Sequence, residues 1–457
     1  MDAAPTSGYL LIVPMSASIP EHGRKAEDIL AEMRGKNAAD TKWREGRVFS
    51  LVYHAGEEHE KLLQRAHALY ASANLLNPMA FTSLRQMERE IIEMAAGLFH
   101  GPSSCVGTVT SGGTESILCA VAAYRDRARR KKPWILRPEL VVPTTIHPAF
   151  DKAAHYFGVR LVKIPVGPDF RADVKAMAKA IGWQTIGICA SAPQYAHGVV
   201  DPIAELGELA RKRKLPLHVD ACVGGFILPW LERLGRPIPL WDFRVPGVTS
   251  ISADLHKYAY AGKGASCLVW RSMDYMRYQI FVATDFPGGI YASPTMIGTR
   301  PGGPVAAAWA TLQSFGADGY LDLARKAADA ADRLRAGITA TPGLALVGRS
   351  DSTIVSYAAL GVDVYALADR MEARGWTVDR QQRPASIHLT VTANHAAIVE
   401  PYITDLRESL AEVRANPKLA KSGTAPMYGM AAKMPVRRLV ASNVRKVIAD
   451  LYSEGAS

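Results

Sequence analysis

The alternation of apolar and polar positions changes character twice along the chain. From residue 106 to about 270, short apolar runs rich in valine and isoleucine alternate with longer amphipathic stretches. The runs are Val106-Gly-Thr-Val109, Leu140-Val-Val-Pro143, Arg160-Leu-Val-Lys-Ile164, Thr185-Ile-Gly-Ile-Cys189, Pro216-Leu-His-Val219 and Val248-Thr-Ser-Ile251. Runs this short fall below helical length, and their β-branched content favours strands. Helical candidates lie between them: Ile117 to Ala128, Pro148 to Phe157 closed by Gly158, and a stretch to Lys214 opened by Asp201 as N-cap with Pro202 at the first helical position. Strands alternating with helices predict crossover units and a mostly parallel sheet covered on both faces. Ligands of such sheets bind beyond the carboxyl ends of the strands.

Residues 271–316 lose the alternation and are punctuated by Phe286-Pro-Gly-Gly289 and Arg300-Pro-Gly-Gly-Pro304. A second, smaller α/β pattern follows, with a helix over 318–337, β-like runs near 344–348, 352–358 and 386–392, and helices over 363–375 and 398–416. The first 78 residues read as a helical, irregular arm or cap. With 457 residues the chain exceeds what one core usually serves. The expected division is 1–78 as arm, 79–316 as large domain and 317–457 as small C-terminal domain.

Composition narrows the function classes. Lys and Arg outnumber Asp and Glu, 54 to 43, giving a net charge of +11. The basic runs Arg125–Lys132 and Arg211–Lys214 fall at ends of amphipathic helices, where cations suit the helix dipole. No nucleic-acid-binding motif accompanies them. The five cysteines, at 105, 119, 189, 222 and 267, form no C-x-x-C pair and suggest a reducing, cytoplasmic setting. The run Tyr9-Leu-Leu-Ile-Val13 is far short of the roughly 20 residues that cross a bilayer, and no basic region precedes it. A soluble protein making at most transient membrane-surface contact is expected.

The strand ends carry the candidate chemistry. After Val109 comes Thr110-Ser-Gly-Gly-Thr-Glu-Ser116, where free amides opening a helix can hold an anion. Neither the G-x-x-x-x-G-K-[ST] nor the G-x-G-x-x-G pattern is present. His147 follows the second run. Asp220 ends the fifth among small residues, where a buried carboxylate needs a cationic partner. Ser252-Ala-Asp-Leu-His-Lys257 follows the sixth, and Lys263 lies six residues further on between Gly262 and Gly264. An anion cradle, a planar ring, an acid and a lysine are the four groups pyridoxal phosphate requires: for its phosphate, its ring, its ring nitrogen and its Schiff base. No residue cluster suggests a metal.

Thr110–Ile117, His218-Val-Asp-Ala-Cys-Val-Gly-Gly-Phe226 and Ser250-Ile-Ser-Ala-Asp-Leu-His-Lys-Tyr258 resemble motifs of the fold-type I pyridoxal-phosphate enzymes of the group II decarboxylase family. Arg47–His54, Ser191–Gly198, Gly288–Pro294, Gly298–Gly303 and Met427–Met430 resemble its branch that cleaves long-chain base 1-phosphates. The resemblance runs nearly end to end. It implies a mostly parallel seven-stranded sheet in the large domain, a smaller C-terminal α/β domain, and a homodimer with shared active sites. It implies that Lys257 carries the cofactor; that Gly112, Gly113, Thr114, Ser252 and His256 hold its phosphate; that His147 stacks on its ring; and that Asp220 pairs with its nitrogen. Gly302 and Gly303 would reach the phosphate from the neighbouring subunit. Tyr53 and Lys263 match positions for the substrate phosphate, while Asn77 stands where a histidine is usual.

The implied reaction is a retro-aldol, aldolase-type cleavage of the C2–C3 bond into a fatty aldehyde and phosphoethanolamine. Lys257, Tyr195, His197 and the substrate's own phosphate all remain candidate bases. Tyr428 reads as structural or pocket-lining. An amino-acid α-decarboxylase shares every cofactor residue, and an inactive fold that binds a membrane or a partner is the rival of another class.

Overall fold

The computed structural model describes residues 19–38, 40–434 and 437–453; the Tyr9–Val13 run lies outside them. A seven-stranded sheet forms the centre of the large domain. Its strands are β1 (Val106–Thr110), β2 (Glu139–Pro143), β3 (Arg160–Ile164), β4 (Thr185–Ser191), β5 (Leu217–Asp220), β6 (Val248–Ala253) and β7 (Ser266–Trp270). The spatial order is β1-β7-β6-β5-β4-β2-β3. All pairs are parallel except those made by β7, which runs antiparallel to β1 and β6. The central strands β2, β4, β5, β6 and β7 are buried along their whole length. That burial explains why they read as unbroken apolar runs rather than as alternating ones. Helices on both faces complete the layers, as the crossover pattern requires.

Two local expectations change. Asp201 does not cap its helix, which spans Ile203–Arg213. Its buried carboxylate instead accepts from the amides of Ser191 at 2.8 Å and Ala172 at 2.9 Å, pinning the end of β4. Burial raises its pKa to about 6, partly offset by those two bonds. The helix expected over 318–337 runs from Gly302 to Thr339. It breaks at Gly316, whose φ of 54° and ψ of −170° are non-helical and suit a residue without a side chain. Val305, Ala308 and, past the kink, Tyr320, Ala324 and Ala328 join the large core, while Leu334 and Ile338 join the small one.

Between the domains a short hairpin forms from β8 (Phe281–Ala283) and β9 (Tyr291–Ser293). The small domain carries a four-stranded antiparallel sheet in the order β10-β11-β13-β12. These strands are β10 (Leu344–Leu346), β11 (Ile354–Ala359), β12 (Asp379–Gln382) and β13 (Ala385–Thr390). β12 reads Asp-Arg-Gln-Gln and carries no apolar signal; pairing with β13 makes it a strand. The N-terminal arm is not a separate layer. Phe49 is fully buried in the small-domain core, and its amide bonds the Thr377 carbonyl. Among the described residues no helix is long and apolar enough to cross a membrane, and no group of side chains could hold a metal ion.

Candidate active site

The segment after β6 turns sharply and doubles back. His256 N bonds the Ala265 carbonyl at 3.0 Å and Tyr260 N bonds the Lys257 carbonyl at 2.8 Å, with Tyr260 in the left-handed region. This turn projects Lys257 beside Asp254, 2.9 Å from Nζ to Oδ2. Burial opposes the ammonium, but Asp254, the Cys222 thiol and Asp220 more than reverse that and hold its pKa above the usual lysine value. Asp254 is itself buried. Burial disfavours its charge, and the neighbouring Lys257 and His256 more than compensate, keeping it ionised.

The helix Gly113–Lys131 points its first turn at the same spot and has no side-chain cap. Its opening amides are therefore free for an anion. A Cβ at Gly113 would lie 2.7 Å from both the Asp254 carboxylate and the Cys222 thiol, and one at Gly112 would lie 3.4 Å from the His256 ring. Thr114 is exposed at the rim. His256 Nδ1 and Asp254 Oδ1 are buried without a hydrogen-bond partner. A cradle that only glycine can line, with orphaned polar atoms and a lysine beside it, fits a phosphorylated cofactor carrying an aldehyde.

Asp220 closes β5 next to β6, in register with Ser252. In that register the Ser252 hydroxyl faces Asp220 Oδ1 at 3.5 Å and His218 Nε2 at 3.2 Å. His218 Nδ1 continues to Ser250 Oγ at 2.8 Å, which the Tyr124 hydroxyl meets at 2.7 Å. Burial drives the His218 pKa down to about 4, partly countered by Asp220, so this chain is neutral apart from the acid at its end. Cys222 N also bonds Asp220 Oδ1, at 3.1 Å.

The second lysine stands apart from the first. Lys263 is exposed as a residue, yet its ammonium bonds the His256 carbonyl at 3.3 Å and lies 5.4 Å from the centre of the Tyr53 ring. Burial of that end, with the Lys257 charge adding to it, pushes its pKa down to about 8. Tyr53 packs edge-on against Tyr258 at 5.1 Å, and burial holds its hydroxyl protonated. The structure thus brings together Tyr53 from the N-terminal arm and Lys263 from the turn after β6.

The remaining expected residues divide. His147 ends the β2 connection with its ring exposed, Nδ1 accepting from the Ala149 amide at 3.1 Å. Tyr195, in the loop after β4, donates its hydroxyl to Asp379 Oδ2 at 2.5 Å and stacks on His388. His197 is buried, held by Gln194 at 2.9 Å and stacked on Phe170 at 4.0 Å. Burial lowers its pKa to about 4. Asn77 is exposed and accepts from the Met79 amide at 3.0 Å in its own turn. Gly302 and Gly303 pack within the chain, where added Cβ atoms would meet Leu84 and Ala73 at 2.7 and 2.8 Å, or the His67 ring at 2.6 Å. Tyr428 packs on Tyr365 and under Arg380 in the small domain.

Asp254 lay unassigned within the quoted motif, although a carboxylate ending an apolar strand signals a nearby cation. Asp379 and His388 come from the polar β12 and its partner, and reach Tyr195 only through domain docking. No local pattern announces them. Glu115 accepts from the amides of Met296 and Ile297 at 2.9 and 3.2 Å, and Arg300 pairs with Glu88 and donates to the Val109 carbonyl of β1 at 2.9 Å. These bonds anchor the glycine-rich 294–303 segment to the cradle helix and β1.

The profile described as pyridoxal-dependent decarboxylase conserved domain matches residues 11–359. Sphingosine-1-phosphate lyase of Dictyostelium discoideum is 42% identical, over 95% of this chain and 82% of that protein. The structure of sphingosine-1-phosphate lyase from Burkholderia pseudomallei is 37% identical with a TM-score of 0.84, over 88% of this chain and 95% of that one. Glutamate decarboxylase of Lactobacillus brevis shares the fold at 20% identity and a TM-score of 0.77, over 90% of this chain and 96% of that one.

Proposed function

We propose, for a chain that belongs to the pyridoxal-dependent decarboxylase family and within it to the sphingosine-1-phosphate lyases, that it is a pyridoxal-phosphate-dependent lyase. It cleaves the C2–C3 bond of long-chain base 1-phosphates to a fatty aldehyde and phosphoethanolamine. The observation that carries this reading is the second cation, Lys263 over Tyr53, set beside the cofactor lysine. A substrate bearing its own phosphate needs such a group; an amino acid losing carbon dioxide does not.

Pyridoxal phosphate bound here supplies an electron sink for the pair released when the C2–C3 bond breaks. Lys257 would hold the cofactor covalently through its Nζ. The amides of Gly113 and Thr114, with Gly112 and His256, receive the phosphate, His147 covers the ring, and Asp220 keeps a proton on the ring nitrogen. Ser252 and His218 orient Asp220. Lys263 and Tyr53 receive the substrate phosphate, which places the C3 hydroxyl toward the Tyr195 side of the site.

A homodimer with shared sites completes the proposal. Its support is the exposed apolar hairpin, with Phe281 61% and Ile290 80% exposed. Exposed apolar clusters of this kind mark interaction surfaces. A partner seated there gives the exposed Asn77 a route to a neighbouring cradle, whereas Gly302 and Gly303 are buried within their own chain. The five free thiols suit a cytoplasmic setting.

Lys263→Ala tests the reading. Its kcat/KM for sphingosine 1-phosphate should fall at least tenfold, about 1.4 kcal/mol, while the cofactor's visible absorbance persists. Unchanged kinetics count against the assignment of Lys263.

A further inference from the structure

The loop following β4 is clamped by the small domain at one carbonyl. Ala196 O accepts from Ser356 Oγ at 2.8 Å, from His388 Nδ1 at 3.2 Å and from Gln381 Nε2. Those bonds suffice to hold the loop in place. One residue earlier, Tyr195 makes a contact that the clamp does not require: its hydroxyl donates to Asp379 Oδ2 at 2.5 Å. The other Asp379 oxygen accepts from Ser50 Oγ at 3.2 Å. Among the described residues these two hydroxyls are its hydrogen-bond partners, and no cation pairs with it.

His388 lies directly opposite Asp379 in the β12–β13 ladder, and the Tyr195 ring packs on it at 4.3 Å. Burial lowers the His388 pKa despite the pull of Asp379, so it is neutral at pH 7. Burial, then Asp379, raises the Tyr195 pKa far above its ordinary value. Tyr195 nevertheless exposes 37% of its surface. Ser50, which bonds Asp379, lies three residues before Tyr53, whose ring faces Lys263, so the arm carries the pair to the active-site side of the domain interface.

We propose that Tyr195 and Asp379 form a two-group proton relay, in which Asp379 is the final acceptor of the proton taken from the substrate's C3 hydroxyl. The relay rests on the retro-aldol reading above. A tyrosine this hard to ionise does not act as a phenolate at neutral pH. Its own proton already points at Asp379, which leaves the oxygen's lone pairs for an incoming donor. The substrate's hydroxyl proton moves onto the Tyr195 oxygen as the Tyr195 proton moves onto Asp379. The former O–H electron pair becomes the second C–O bond of the leaving aldehyde, and the C2–C3 pair stays on C2 and enters the electron sink. Tyr195 is neutral before and after; Asp379 goes from carboxylate to acid and returns its proton to solvent between turnovers. Tyr195 meets the substrate, and Asp379 acts through it. His197, locked by Gln194 and Phe170, is left a structural part.

The test is Asp379→Asn, which keeps the size and an oxygen acceptor for Tyr195 and leaves the Ala196 clamp intact. In the holoenzyme, kcat should fall at least ~100-fold, with KM within about twofold of the parent and the cofactor absorbance unchanged. The acidic limb of the kcat–pH profile should vanish. Tyr53, Asp254, His388 and, behind His388, His197 are the titratable groups facing the pair, and the substitution leaves them in place. A variant with kcat within about threefold of the parent and the same pH profile overturns the relay while leaving the lyase reading intact. If the parent enzyme itself releases no aldehyde, both readings fall together.

Discussion

The two lysines of Ser252–Gly264 show how six residues of spacing separate two chemistries. Lys257 is held charged by Asp254 and its neighbours, whereas Lys263 is driven down to about 8 by burial and by the Lys257 charge. The sign fixes a pH dependence. Lys263 is an ammonium below about pH 8 and loses its charge as pH rises through that value. KM for a phosphorylated substrate should be flat near neutrality and climb toward tenfold per pH unit above about 8. Lys263→Arg, which stays charged throughout, should remove that climb; a KM–pH profile identical to the parent's counts against the assignment. At this scale the sequence was most legible where position and chemistry coincide. Asp220 ends a buried strand and Lys257 lies in the turn that follows one, where an unpaired charge is costly. The contact of Ser252 with Asp220 has no local signal, because it is set by the alignment of β5 with β6. Asp379 was invisible: its strand has no apolar residue, and Tyr195 lies 184 positions away.

The elements deliver these groups by simple means. Short buried strands end at one edge, and an uncapped helix opens there, so the amides and the lysine meet without any long insertion. Gly113 is the tight point. Gly113→Ala places a methyl 2.7 Å from a carboxylate and a thiol, both buried. Affinity for pyridoxal phosphate should fall at least tenfold, about 1.4 kcal/mol, with helix content unchanged, as read by absorbance titration and circular dichroism. Gly97→Ala is the control: no atom lies within 4 Å of its Cβ, and alanine in a helix favours stability by up to about 1 kcal/mol. Equal cofactor affinity in both variants contradicts the cradle. The alternating pattern located nearly all of the parallel strands, because burial on both faces leaves an unbroken apolar run. It gave no sign of β7, whose antiparallel course returns directly from the Lys263 turn, or of the hairpin.

Across the whole molecule, the domains are tied together more closely than their separate patterns implied. One kinked helix serves both cores, Phe49 crosses from the arm into the small domain, and β12 brings Asp379 to a loop of the large one. The apolar hairpin is left uncovered. Phe281→Asp with Ile290→Asp should shift the protein from dimer to monomer in sedimentation velocity and cost most of the activity, since Asn77 would no longer reach a neighbouring cradle. A doubly substituted protein that stays dimeric and active contradicts the shared-site assembly. The central claim, carbon–carbon cleavage of a phosphorylated long-chain base, is tested most directly by mass-spectrometric product analysis of the holoenzyme with sphingosine 1-phosphate. A long-chain aldehyde and phosphoethanolamine in equal amounts, absent with Lys257→Ala, is the predicted result. No aldehyde from this substrate, together with carbon dioxide from an amino acid, would contradict it.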